Sequence, residues 1–248
     1  MRPLDSETVD RPSWAHPDRP HQRTAGWLTL AAGGMFIVTV GYLFGVMSAT
    51  GWTIAMFDAP ADLLVWINGH ERIYQGLWAL YFLSQALLLA VPVLLSGGPA
   101  RATAVFGTAA VVLAMVGLVV IFAVSPVLAH AYHEATTTES TSSAAGVLVL
   151  HDVMADVGKN IRLFSELLLG VWLILLGRQL RGDLRQRRWW GLVGLGCWTV
   201  AVAAIKLIEP ATGLEDWLGF LLGGGYVAMG VGLLRLRRPD PQAATPPQ

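Results

Sequence analysis

The feature that most limits how this chain can fold is the absence of charge from long stretches of it. Residues 24–57 carry no charged side chain, and residues 73–150 carry three, Arg101, Glu134 and Glu139. A water-soluble fold needs polar cover on its outer helix faces and loops, which neither stretch can supply. Only 14% of all residues are charged, against roughly 25% in a typical soluble domain, so the rest of the chain cannot make up the deficit. The sequence therefore reads as an all-α, polytopic transmembrane helical bundle with the lipid bilayer as its surroundings. Lysine plus arginine equals aspartate plus glutamate at 17 each, without a basic stripe, which excludes a nucleic-acid binder.

A bilayer-crossing helix needs about 20 mainly apolar residues. Five such runs are evident, at 27–47, 77–96, 103–128, 189–208 and 217–234, and a sixth lies within 145–178. That sixth run, fourth in chain order, is interrupted by Asp152, Asp156, Lys159, Arg162 and Glu166 before the apolar LLLGVWLILLG. Trp27, Trp78, Trp189, Trp190 and Trp217 stand near span ends, where indole rings suit the membrane interface. With six spans, one side receives the N-terminal tail, the 97–102 turn, the 178–188 loop and the C-terminal tail, and with them 13 of the 17 basic residues. Arginine and lysine resist translocation, so both termini are expected to be cytoplasmic.

The domain expectation follows: a disordered cytoplasmic tail over 1–25, a six-helix transmembrane domain over 26–236 and a second tail over 237–248. The first tail mixes four Arg, four acids and four Pro and has no cleavage pattern, so it does not read as a signal peptide. Cys197 is the single cysteine, which excludes an intrachain disulfide. Arg outnumbers Lys by 15 to 2 beside abundant Ala and Gly, a bias that fits a GC-rich bacterial genome and a bacterial cytoplasmic membrane.

Three segments are expected to face outward. In 48–76, Asp58 followed by Pro60 marks a helix start, and Leu63, Leu64, Trp66 and Ile67 supply an apolar face for a short helix lying at the interface. The Thr/Ser run of 130–146 lacks a core-forming pattern and is expected to be a mobile loop. The third is the short acidic turn IEPATGLEDW. Asp58, Asp62, Glu71, Glu134, Glu139, Glu209, Glu215 and Asp216 make this face acidic, which favours cations at its entrance if the groups converge.

The fourth span carries the most informative pattern. With Glu166 at 0° and about 100° per residue, Arg162 falls at about −40°, Lys159 at about +20°, Asp152 at about +40°, Asp156 at about +80° and His151 at about −60°. All six lie in one sector of about 140°, opposite Leu, Val and Ile, so the helix turns this stripe toward protein or water. Glu166 stands twelve residues before Arg178, or about 18 Å from the inner boundary of a core about 30 Å thick. Insertion of an unpaired charge there costs on the order of 3 kcal/mol or more. Arg162 and Glu166 can neutralise each other at i, i+4, which lowers the cost without explaining why either is present. The stripe is accordingly a candidate polar cavity for a small-molecule or cation ligand, with a register-fixing ion pair as the plainer reading. Lys206, near the outer end of its span, is expected to snorkel to the interface.

A metal site is the second candidate. His130 and His133 lie in HAYHE at the end of the third span, and His151 with Asp152 opens the fourth, a donor set suited to zinc or another divalent ion if the ligands converge. The spacing is neither H-E-x-x-H nor H-x-x-E-H, so no metallopeptidase motif identifies a catalytic residue. A bis-His haem lacks the deep histidines on two spans that it needs. Gly41 and Gly45 form a G-x-x-x-G pair, while Gly223, Gly224, Gly225 and Gly230 crowd the last span. Close helix packing is the ordinary use of both patterns, and an unwound helix beside a substrate is the alternative for the triple glycine. Pro92 and Pro126 are expected to kink spans two and three.

The first outer loop with Asp58, Asn68 and Tyr74, and the passage from GVWLILLGRQLR to WWGLVGL, resemble a group of bacterial six-span membrane proteins classed as a domain of unknown function. The resemblance covers about 25–236, implies the six-span layout and carries no activity, cofactor or site residue. Three functional classes follow from the residues: ligand binding, transport or sensing through the stripe; a membrane metalloenzyme with an outward His/Asp site; and a structural or accessory subunit.

Overall fold

The computed structural model describes residues 19–95, 101–138, 140–180, 188–208 and 214–235. Those residues form helices and no strands: α1 (Arg19–Tyr42), α2 (Pro60–Leu88), α3 (Val91–Leu94), α4 (Arg101–Thr137), α5 (Thr141–Gln179), α6 (Arg188–Ile208) and α7 (Leu214–Leu234). Five stretches are long and apolar enough to cross a membrane, namely His21–Met47, Pro60–Leu94, Thr103–Thr137, Thr141–Gln179 and Trp190–Leu207. The last helix adds a shorter apolar stretch, Leu222–Leu234. These are the marks of a multi-pass membrane protein.

The helix α1 begins at Arg19, inside the segment expected to be tail, and runs through a π-helical turn at Leu43–Met47. It ends where Gly51 takes φ of 85°. Its N–H donates to the Ser48 carbonyl, and the Trp52 N–H donates back to Met47. A left-handed residue that returns donors to the last turn is the usual glycine stop. Pro60 then opens α2, as the sequence indicates. The expected interfacial helix and the second span are one helix, broken only by non-helical angles at His70. Leu63, Leu64, Trp66 and Ile67 do form one apolar face, but it is buried against Met47, Trp52, Tyr74, Leu77 and Leu128 instead of lying on lipid. The helix stops just before Pro92, which sits in the first turn of α3 where its missing N–H is not needed. By contrast, α4 continues as one helix across Pro126.

The expected mobile loop at 130–146 is mostly helix. The helix α4 continues to Thr137, and α5 starts at Thr141. The reason lies in the threonines themselves. Thr136, Thr137 and Thr138 each donate their hydroxyl to carbonyls three or four residues back, so these side chains bond within the end of α4 and do not draw the backbone out of the helix. At 37 and 39 residues, α4 and α5 are each about 55–60 Å long. This hairpin outreaches a hydrocarbon core about 30 Å thick.

Neighbouring helices pack in the order α1, α2, α4, α5, α6, with α7 returning against α1. Glycines set the closest approaches. A Cβ on Gly33 would meet the Val227 backbone, and one on Gly230 would meet the Leu30 backbone, so α1 and α7 touch main chain to main chain. Gly41 and Gly45 have nothing within 4 Å of a notional Cβ; the motif read from the sequence is not the packing surface. The Gly223–Gly225 run stays helical. Gly223 there makes room for Phe36, and Gly225 makes room for Leu195. Two apolar clusters fill the bundle. One gathers Leu88, Val91, Trp172, Leu173, Leu176 and Met229 toward the end that holds the α1 N-terminus, and the other surrounds Trp52, Leu64, Ile67 and Leu128 toward the α4–α5 turn.

Candidate functional site

The stripe of α5 lies between two close helix contacts that glycines create. On one side, Gly158 and Gly117 bring α5 against α4, and the Ser165 hydroxyl donates to the Ala110 carbonyl at 2.9 Å. On the other, a Cβ on Gly170 would fall 2.6 Å from Val200 Cγ2 and 2.8 Å from the Gly196 carbonyl oxygen. Here α5 and α6 meet backbone to backbone. One helical turn nearer the α4–α5 hairpin, a crevice of about 350 Å³ lies between the two helices.

The crevice is graded from exposed to buried. Asp156, Lys159 and Asn160 stand exposed at its rim, Arg162 is half-buried, and Glu166, only 5% exposed, forms the floor. Leu163 and Leu207 supply an apolar wall, and Lys206 enters from α6. Arg162 Nε donates to Glu166 Oε1 at 3.2 Å. Lys206 Nζ lies 3.6 Å from Glu166 Oε2, close enough for an ion pair and beyond ordinary hydrogen-bond length. The buried carboxylate thus stands between two cations, one from its own helix and one from the neighbouring helix.

Behind the crevice lining, Arg162 meets an aromatic ring of α2. The Arg162 guanidinium lies 5.7 Å from the Tyr81 ring centroid, within cation–π range. Tyr81 contacts Phe36 edge-on at 5.6 Å and stacks on Trp78 at 6.3 Å, and Trp78 in turn meets Tyr74 at 5.9 Å. Trp66 stacks on His70 at 5.0 Å higher on the same helix. The run Trp66, His70, Tyr74, Trp78 and Tyr81 therefore forms an aromatic stripe down one face of α2. Tyr226 of α7 is buried in the bundle.

Of the five stripe residues read from the sequence, Asp156, Lys159, Arg162 and Glu166 line this one crevice. Asp152 is not among its walls; its carboxylate lies 3.5 Å from His151 Nδ1. Lys206 corrects a sequence expectation. It does not snorkel outward, because its side chain is 11% exposed and turned in toward Glu166. Trp78 is half-buried and packs on Tyr81 and Tyr74, whereas Trp27 and Trp190 are exposed.

The other candidate ligands are spread out. His130 Nε2 lies 3.3 Å from Glu71 Oε2, and the other oxygen of Glu71 accepts from Gln75 at 2.7 Å. His133 is exposed near the end of α4, and His151 is buried beside Asp152. Among the described residues no three His, Cys, Asp or Glu side chains gather in a way that could hold a metal ion. His130, His133, His151 and Asp152 are therefore not brought together into one site.

Fold and site together define a multi-pass helical membrane protein with a paired carboxylate at the floor of an inter-helix crevice. No family model matches the chain, and comparisons with curated proteins and with solved structures return no match either.

Proposed function

We propose that this is a six-span protein with both termini in the cytoplasm, and that it binds a small polar or ionic ligand in the α5–α6 crevice as part of transport or sensing. The orientation rests on the 13 basic residues gathered in the tails and two loops of one side. The sixth span is α7, 21 residues long and packed along α1. With this orientation the crevice lies in the outward half of the bundle.

One observation carries the ligand-binding reading: a carboxylate 5% exposed forms the floor of a cavity whose walls bear charges all the way to an exposed rim. A carboxylate kept only to fix helix register needs a partner, but it needs neither a cavity nor a graded polar path to the surface. Intramembrane ionisable groups that face such a cavity commonly mark ligand or ion routes.

Solvent access provides the test. In a Cys197→Ser background, Leu163→Cys places a thiol on the buried crevice wall and Asn160→Cys places one at the rim. A membrane-impermeant thiol reagent applied to intact cells should label both positions. Labelling at the rim alone, with Glu166→Gln affecting only thermal stability, would establish a dry structural ion cluster and overturn the proposal.

A further inference from the structure

The charge arrangement of the crevice identifies a ligand class that the outer surface alone would not. Of the charged side chains lining it, three are cationic, Lys159, Arg162 and Lys206, and two are anionic, Asp156 and Glu166. The deeper carboxylate already faces a cation at each oxygen, at 3.2 Å and 3.6 Å. A cation entering the crevice would therefore meet three like charges and a carboxylate already flanked by two of them. An anion would meet an ammonium at the rim, a guanidinium midway and a second ammonium at the floor.

The acidic outer face does not reverse this preference. Asp58, Asp62 and Glu134 are exposed and absent from the crevice walls. Exposed charges are screened over a Debye length of about 8 Å at physiological ionic strength, whereas the charges that line the crevice act on its occupant at contact distance. Discrimination is consequently set by the lining.

Size and wall chemistry narrow the class further. A volume of about 350 Å³ lies at the small end of ligand pockets, which span about 300–1,000 Å³. Leu163 and Leu207 place an apolar surface beside the cationic one. We propose that the crevice binds a small organic monoanion, its acidic head among Lys159, Arg162 and Lys206 and its short apolar body against Leu163 and Leu207. One negative charge balances the three cations and two carboxylates of the lining. This assignment rests on the crevice being a ligand site, as proposed above, and it adds the sign and size of the ligand.

The probes are butyrate, butylammonium and dodecanoate, titrated into the detergent-purified full chain with intrinsic tryptophan fluorescence as the readout. Butyrate should bind saturably, and butylammonium should not compete with it. Lys159→Gln at the rim should weaken butyrate by about fivefold to tenfold, as loss of a charge-assisted contact does. Lys159→Arg should restore it, an outcome that lost stability alone would not produce. Tighter binding of dodecanoate than butyrate assigns the anion to the bilayer, and the reverse order assigns it to the aqueous phase; either order keeps the monoanion class. Butylammonium binding in place of butyrate would overturn the ligand class while leaving the crevice a binding site. Absence of binding by both butyrate and dodecanoate would overturn the monoanion assignment, and absence of labelling at Leu163→Cys as well would overturn both proposals.

Discussion

Lys206→Met offers the sharpest test of how Glu166 is held in the bundle. At an effective dielectric of about 20, a charge pair at 3.2–3.6 Å gives about 5 kcal/mol of attraction before desolvation, so distance alone does not separate the two partners of Glu166. Burial separates them. The Arg162 side chain is 38% exposed and pairs within its own helix at i, i+4, a setting in which solvent screening reduces such pairs to about 0.3–0.5 kcal/mol. The Lys206 side chain is 11% exposed and reaches across from another helix. Removing one member of a buried pair costs about 3–5 kcal/mol, and the Arg162 that remains lowers this toward about 2–3 kcal/mol. Equilibrium unfolding in mixed micelles, followed by tryptophan fluorescence, should show Lys206→Met costing about 2–3 kcal/mol and Arg162→Met about 0.5 kcal/mol. Each would then be combined with Glu166→Gln in a double-mutant cycle, which isolates the pairwise energies. A coupling to Arg162 as large as the coupling to Lys206 would refute the argument that burial, and not distance, ranks the two contacts.

Two further outcomes are expected. Gly170→Ala should destabilise the bundle by about 1–3 kcal/mol, because the added methyl overlaps Val200 and the Gly196 carbonyl, while Gly41→Ala, open to at least 4 Å, should be close to neutral; thermal unfolding of the two variants side by side checks this. A reporter fused after Gln248 should be active only in its cytoplasmic form, and a periplasmically active fusion would overturn the six-span orientation.

How much of this was legible depended on whether the signal lay within one helix or between two. The stripe on α5 was readable because helical period alone puts Asp156, Lys159, Arg162 and Glu166 on one face, and the structure places all four on one crevice. Lys206 was not readable as a partner, since nothing in α6 indicates which residue of α5 its ammonium will meet. The aromatic stripe of α2 was available in principle, as Trp66, His70, Tyr74 and Trp78 recur every four residues, but the predicted break between an interfacial helix and a span divided it. Composition misled at the α4–α5 turn, where threonines that suggested a loop are instead held in the helix end, their hydroxyls bonded back to its carbonyls. It misled again at Gly41 and Gly45, because a small residue permits close approach without causing it.

The backbone contact at Gly170 and Gly196 also has a mechanical meaning. It places a fulcrum about 6 Å along α5 from Glu166 and about 21 Å from Asp156. Rocking α5 by about 5° about that point would carry the crevice mouth roughly 2 Å while moving the floor carboxylate by only about 0.5 Å. Near that mouth Gly158 packs α5 on the Gly117 backbone of α4, so α4 and α5 would rock together as one lever against α6, with the crevice mouth moving most and the carboxylate at its base least.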